Sequence, residues 1–417
     1  MTNFRRVVVT GLGAVSPVGN SVPGLWDAVC SGRSGIDFIR GFEGEELPAK
    51  VAGQVKDFDP AGAGLSPSDI RHYDRFSQFA VAATLEAMRQ AGLQSGENIA
   101  PERLGVYIGS CIGGINTFIA QTKQCLERGA RAVSPLFVPM MISNVGGGNA
   151  AIHLNAQGPC LAMNTACATG TNSIGEAYLA IRGGRCDAIV AGGSEATVNP
   201  LAIGGFANSK ALSTVDNPEE ASLPFDARRR GFVIGEGAGV MVLEELDHAK
   251  ARGADIIAEI CGYGHTCDAF HYTAPRSDGS TTAIALRTVL AEAGYKPGES
   301  LYVNAHGTGT ILNDKVETLA LKLALGEEDA HRASISSTKS MTGHLLGAAG
   351  GVEAIVAALA VRHGIVPPTI GLEQPDPLCD LDYTPLHAVS RDLDLAISNS
   401  MGFGGHNACI AFRKYHG

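Results

Sequence analysis

Tryptophan occurs once in this 417-residue chain, aromatic residues reach only 6% and charged residues only 18%. With so little charge and 45% hydrophobic residues, the chain is not disordered, because it has ample apolar surface to bury. No uninterrupted apolar run approaches the ~18 residues of a membrane helix, so no membrane partner is expected. Basic residues are outnumbered, 32 against 42, for a net charge of −10, which weighs against nucleic acid as a partner. The 53 glycines keep no fixed Gly-x-y period, which excludes a fibrous chain. A glycine-, alanine- and valine-rich composition reads as a large α/β enzyme whose backbones approach closely. At about 150 residues per domain the length allows two or three units around a well-buried core. Met1 leads at once to the strand-like Val7-Val8-Val9, leaving no room for a signal or transit peptide. The ten cysteines (Cys30, Cys111, Cys125, Cys160, Cys167, Cys186, Cys261, Cys267, Cys379 and Cys409) are scattered and read as buried free thiols of a reducing, cytoplasmic compartment.

Two segments share an order of features. Leu85 to Leu93 is a helical pattern stopped by Gly92, followed by the apolar strand Leu104 to Ser110. Leu286 to Tyr295, stopped by Gly294, is followed likewise by Leu301 to Gly307. Cys186 to Gly193 and Leu393 to Ser400 form a second such pair. These echoes predict two fused α/β halves, residues 1–250 and 251–417, packed as one body without a flexible linker.

In α/β sheets, functional residues gather where strands end and helices begin. Leu161 to Ala166 predicts a short strand reaching Cys167, followed by a helix with Ile174, Tyr178 and Ile181 on one face and a stop at Gly183-Gly184. That places Cys167 at a helix N-terminus, where the dipole lowers a thiol pKa and favours a nucleophilic thiolate. Ala166, Ala168 and Gly170 leave room for a substrate. His306, in Asn304-Ala-His-Gly-Thr-Gly309, and His344, in Lys339-Ser-Met-Thr-Gly-His344, are predicted at strand-to-turn positions facing a cleft. Neutral imidazoles there donate through Nε2 to an oxygen on which charge develops. Lys339 supplies a fixed positive charge, with Glu317 as its candidate partner. Met401-Gly-Phe-Gly-Gly405 is too glycine-rich for a regular element. Its amides are candidates to face an oxyanion, with Phe403 as a movable apolar plug between Gly402, Gly404 and Gly405.

At these residues the sequence resembles the β-ketoacyl-[acyl-carrier-protein] synthases of the thiolase fold, in particular the type II elongating enzymes of bacterial fatty-acid synthesis. The resemblance runs from Val7-Val-Val-Thr-Gly-Leu-Gly-Ala-Val-Ser16 to Gly402-Phe-Gly-Gly-His-Asn-Ala408, through Asn164-Thr-Ala-Cys167, Asn304-Ala-His-Gly-Thr-Gly309 and Ser337-Thr-Lys-Ser-Met-Thr-Gly-His344. It implies duplicated halves forming a five-layered α/β/α/β/α homodimer subunit that needs no cofactor. It further implies decarboxylative condensation of a malonyl group with an acyl chain on Cys167, both delivered by acyl carrier protein. The amides of Cys167 and Phe403 would hold the oxyanion, His306 and His344 the enolate, with Lys339 and Glu317 in electrostatic support. A monovalent cation, where present in relatives, would lie at Asn304, Glu353, Ser398 and Asn399. Ile112 matches the position gating the acyl pocket, Asp268 and Ala269 a second flexible loop, and Arg71, Arg131 and Lys210 the basic rim that meets the acidic carrier protein. Type II polyketide ketosynthases share these residues. A non-catalytic chain-length factor would lack the nucleophile, and a plain thiolase would carry a second catalytic cysteine, for which Cys409 stands in an apolar strand instead of the glycine-rich loop.

Met401 stands where Phe is usual in such enzymes and His406 where Thr is frequent, both beside the gate. The interleaved Cys261, His265, Cys267 and His271 lack the paired spacing of a structural zinc site. Gly235-Glu-Gly-Ala-Gly239 fails the nucleotide-binding spacing and predicts a closely packed core strand. The basic triplet Arg228-Arg-Arg230 reads as solvated.

Overall fold

The apolar run Val7-Val8-Val9 opens a strand in which every residue from Val7 to Val15 is buried. Such a strand has both faces covered by other layers. The computed structural model describes residues 4–42 and 46–417; Met1 lies outside them. Strands among the described residues are β1 (Val7–Val15), β2 (Asp37–Phe38), β3 (Val51–Ala52), β4 (Leu104–Gly109), β5 (Cys160–Leu161), β6 (Ala188–Glu195) and β7 (Gly237–Glu245). They continue as β8 (Ala258–Cys267), β9 (Leu301–Asn304), β10 (Ser334–Ser336), β11 (Ile365–Val366), β12 (Val389–Ser390), β13 (Leu395–Gly402) and β14 (His406–Arg413).

Ten of these form one sheet in the order β10-β9-β13-β14-β8-β1-β7-β6-β4-β5, and β1 meets β8 at its centre. On either side of that join the same pattern recurs. β7 runs antiparallel between β1 and β6, and β4 parallel between β6 and β5. β14 and β9 repeat those senses between β8, β13 and β10. The helices Thr169–Arg182 and Ala349–His363 pack on each other and on strands of both sides, forming the middle layer. Outside lie Arg75–Ala91 against β1 and β7, and Ser280–Glu292 against β8 and β14. With the five strands on each side of the β1–β8 join counted as one layer each, helix, sheet, helix, sheet and helix make five layers.

Chain chemistry explains the middle. Ala349–His363 is buried at every position from Ala349 to Val361, as a helix apolar all round must be. The segment Leu346–His363 is long and apolar enough to span a membrane, yet 89% of it is buried within the protein. Small residues let the two central helices approach by their backbones: a Cβ on Gly170 would stand 2.5 Å from the Gly351 nitrogen. Gly239 of β7 lies equally close to Val352, where a Cβ would come within 2.3 Å of its nitrogen, so Gly235 to Gly239 serves packing.

All ten cysteines are free. Only Cys167, Cys186, Cys379 and Cys409 are fully buried, while Cys160 and Cys267 are exposed. Cys160 lies on an edge strand and Cys267 at the end of β8, positions that an apolar local sequence does not reveal.

Candidate active site

Cys167 sits in a single 3-10 turn, Ala166–Ala168, that leads into the helix Thr169–Arg182. The predicted strand before it is shorter: β5 ends at Leu161. Side chains take over where the ladder stops, since Asn164 Nδ2 donates to the Cys111 carbonyl (3.2 Å) and Thr165 N donates to Thr169 Oγ1 (2.9 Å). Ala166 is held at φ 50°, a left-handed conformation that a residue with a Cβ adopts only when its surroundings enforce it. This bend turns Cys167 toward the cavity. Burial pushes the thiol up to about 12, although the Lys339 charge and the Phe403 N–H pull the other way. Burial therefore favours the thiol over the expected resting thiolate, with the Glu195 and Glu353 charges acting in the same direction.

His306 follows β9 directly, as predicted from its turn. His344 does not follow a strand: β10 ends at Ser336, and the short helix Lys339–Thr342 intervenes before Gly343 at φ 69°. The His344 backbone is fixed by its N–H to the Val233 carbonyl (2.7 Å) and by accepting from Gly235 N (2.9 Å). The two imidazoles meet edge to face, with centroids 5.2 Å apart. Burial, reinforced by the Lys339 charge, holds both far below the usual histidine range. Each Nδ1 is enclosed without a partner among the described residues. A lone pair there is cheaper to bury than an unmatched N–H, which leaves the proton on Nε2.

Lys339, 1% exposed, pairs with Glu353 and not with Glu317. Glu317 instead accepts from the backbone N–H of His306 (2.7 Å) and Gly307 (2.8 Å) and from Asn399 Nδ2 (2.6 Å). It fixes the His306 turn. Asn304 Oδ1, Ser398 Oγ and Glu353 Oε2 are buried without hydrogen-bond partners among the described residues, and Asn304 and Ser398 are direct neighbours across β9 and β13. These orphaned oxygens fit a hard monovalent cation. The Asn399 side chain does not join them, since its Oδ1 accepts from Cys409 Sγ (3.0 Å). Cys409 packs in a different cluster from Cys167.

Cys167, His306, His344 and Phe403 line one cavity of about 440 Å³. Phe206 and Phe232 complete its aromatic wall: Phe232 stands edge-on to His344 at 5.2 Å and to Phe206 at 5.3 Å, and Phe206 lies 6.3 Å from Phe403. Nothing in the local sequence marks these two phenylalanines, which arrive from a helix and a loop far from the glycine-framed motifs. Gly404 and Gly405 take φ values of 85° and 79°. A Cβ on Gly405 would stand 2.7 Å from Asp268 Cβ, and Asp268 N donates to the Gly405 carbonyl (2.8 Å). The loop of Phe403 and that of Asp268 and Ala269 are therefore joined. Met401 is buried and His406 half-buried at the base of the loop.

Ile112 packs in the same apolar cluster as Cys167 and Phe206. Lys210 lines the cavity mouth, whereas Arg71 and Arg131 are exposed and do not line it. The basic triplet divides. Arg228 pairs with Asp226 and Glu373, Arg229 is buried against Asp376 (2.8 Å), and only Arg230 is exposed, at the mouth. Cys261 and Cys267 donate to the carbonyls of Ala411 and Gly404, His265 stacks on Tyr263, and His271 accepts from Thr273 and Ala274 N–H groups.

Residues 4–249 match the family model of the beta-ketoacyl synthase N-terminal domain, and residues 257–373 that of the C-terminal domain. The chain is 48% identical over 415 residues, all of both proteins, to 3-oxoacyl-[acyl-carrier-protein] synthase 2 of Staphylococcus aureus (strain COL). It is 47% identical over 412 residues, 99% of this chain and 98% of the relative, to the protein of that name from Synechocystis sp.. Among solved structures, a type II PKS ketosynthase bound to a hexaketide and in complex with its acyl-carrier protein superposes with a TM-score of 0.92 at 34% identity, covering 99% of this chain and 100% of that one.

Proposed function

The chain belongs to the β-ketoacyl synthase family, and from that premise we propose that Cys167, His306 and His344 carry out its reaction in the cavity they share. The activity is acyl transfer with condensation in fatty-acid elongation, on a thiolase fold. The observation that carries the site assignment is the convergence of one thiol, two neutral imidazoles and the Phe403 loop on a single enclosed space.

In the first half-reaction the Cys167 sulfur attacks the acyl thioester, with the oxyanion held by the N–H groups of Cys167 and Phe403. The tetrahedral adduct collapses, the carrier's thiolate leaves, and the thiol proton passes to it. No net proton is exchanged, so a resting thiol suffices. In the second, malonyl thioester loses CO2, and the two electrons of the broken C–C bond form an enolate whose oxygen accepts from His306 and His344 Nε2–H. The enolate carbon attacks the acyl-Cys167 carbonyl and expels the Cys167 thiolate. Burial makes that thiolate basic, so it takes up one proton from solvent, the proton consumed per condensation, and regenerates the thiol.

Burial, reinforced by the Lys339 charge, keeps both imidazoles neutral; Lys339 also stabilises the enolate, while Glu317 fixes the His306 turn. Asn304, Ser398 and Glu353 would hold a monovalent cation, which when bound supplies positive charge that braces this corner. Ile112 gates the acyl pocket. Gly402, Gly404 and Gly405 let Phe403 swing between covering Cys167 and admitting substrate. Lys210 and Arg230 at the mouth, with Arg71 and Arg131 further out, meet the acidic carrier protein. The nucleophile belongs to residues 1–250 and both histidines to residues 251–417. A homodimer forms through the exposed outer edge of β5, in the cytoplasm.

Elongation of carrier-bound acyl chains of graded length with malonyl-carrier protein tests this, with peptide mass mapping of the acyl group. Acylation at Cys167 and loss of one CO2 per condensation are expected. Acylation at Cys111 or Cys409 instead would overturn the assignment.

A further inference from the structure

Glu195, the last residue of β6, is wholly buried. Its Oε2 accepts from Cys111 N (2.8 Å) and Gly347 N (3.2 Å), and its Oε1 from Ser110 Oγ (3.0 Å) and Ile112 N (3.3 Å). The donors come from two separate segments. One follows β4 and carries Ile112, which packs in the cluster of Cys167 and to which the acyl-pocket gate is assigned; the other follows His344 and leads into the central helix Ala349–His363. Gly347 is what lets them meet, since a Cβ there would stand 2.6 Å from Cys111 N and 2.7 Å from Glu195 Oε2. The Cys111 peptide is also held from its carbonyl by Asn164, three residues before the nucleophile. A carboxylate that receives donors from both segments cannot follow one without pulling on the other, because releasing any of these N–H groups would leave it buried and unmatched.

We propose that Glu195 is a positioning residue that couples the acyl pocket to the decarboxylation site, so that filling the pocket past Ile112 shifts the Gly347 segment and seats His344. This rests on the roles proposed for Cys167 and His344. Enzyme loaded with an acyl chain then decarboxylates malonyl-carrier protein faster than unloaded enzyme, and Glu195 transmits the difference.

The test compares wild type with Glu195→Gln, which replaces one acceptor oxygen by a donor facing N–H groups. Malonyl decarboxylation is measured with Cys167 unloaded and after acylation by carrier-bound chains of graded length. In the variant the ratio of loaded to unloaded rates is expected to fall to near one, with a flattened chain-length profile. Glu195→Asp, which keeps the carboxylate, is expected to recover part of both. A ratio and profile equal to wild type would sink the coupling. So would a proportional loss at every chain length, loaded or not, since that marks a purely structural residue, and so would a wild-type ratio of one. If Glu195→Gln does not fold, Ser110→Ala decides, because it removes one of the four donors; an unchanged ratio there overturns the proposal and a partial fall supports it. Mass mapping separates the two levels: absence of acyl groups from wild-type Cys167 defeats the underlying site assignment, whereas normal acylation with an undiminished ratio in Glu195→Gln defeats only the coupling.

Discussion

Gly402 lies at the end of β13, where the Phe403 loop crosses the nucleophile's turn, and a methyl group there has nowhere to go. Its Cβ would stand 2.8 Å from the Thr165 carbonyl oxygen and 3.2 Å from the nitrogens of both Cys167 and Ala168. Each neighbour is backbone, so no side chain can rotate away. Restoring ordinary contact at 3.4 Å requires the loop to retreat by about 0.6 Å. That retreat moves the Phe403 N–H relative to the Cys167 N–H, and the two donors no longer converge on one oxyanion. Loss of a single such donor costs about 10²–10³ in kcat, or ~2.7–4 kcal/mol. Gly402→Ala is therefore expected to reduce kcat/KM for condensation by about a hundredfold. Overpacking at the edge of the site costs about 1–3 kcal/mol of stability, so the variant remains folded. Iodoacetamide alkylation of Cys167 needs no oxyanion hole and is expected to proceed at least as fast as in wild type. The assay pairs carrier-dependent condensation with alkylation and a thermal melt. Condensation within threefold of wild type, in a protein that melts normally, would refute the argument that these amides act together.

Cys167→Gln is expected to abolish condensation while keeping or raising malonyl decarboxylation, since a neutral amide mimics the acylated state; loss of both activities in folded protein would contradict separate roles. Phe403→Ala should slow condensation more than alkylation of Cys167, and unchanged condensation with slower alkylation would make the ring packing and not a gate. Lys339→Met removes the charge that pulls the Cys167 thiol down, so less thiolate exists at a given pH and the alkylation–pH curve moves upward. It also strands Glu353, at a cost of about 3–5 kcal/mol. Adding Glu353→Gln should restore the melting temperature but alkylation only in part, because the Glu353 charge itself raises the thiol, and full recovery of both would assign Lys339 a purely structural role.

The glycine-framed motifs were legible because their physics is local. Gly343 at φ 69° and Gly307 at φ 35° mark turns that a reader of the chain can place, and both histidines do line the cavity. Partnerships across the fold were not legible. Lys339 and Glu353 meet because a short helix turns the lysine toward the central helix, and no spacing along the chain distinguishes Glu353 from Glu317. The same holds for the thiol of Cys167: the helix terminus is written in the sequence, but the burial that raises the thiol comes from residues distant along the chain, among them Ile203, Phe232 and Leu346. Glu195 is the extreme case, an acidic residue at the end of an apolar strand whose four donors come from two segments unrelated in sequence to it or to each other.

The recurrence within the sheet also bears on how a duplicated scaffold divides its labour. Leu346, at φ 50°, stands three residues before the helix Ala349–His363, as Ala166, also at φ 50°, stands before Thr169–Arg182. The residue after each is Cys167 on one side and Gly347 on the other. The fold thus builds two identical pedestals and equips one. On the second, the space a side chain would need is already taken by the Cys111 backbone and the Glu195 carboxylate, so no single substitution at Gly347 creates a rival nucleophile. The second pedestal is thus given over to packing: its backbone is clamped against Cys111 and Glu195 three residues after His344, and only the first presents a thiol to the cavity.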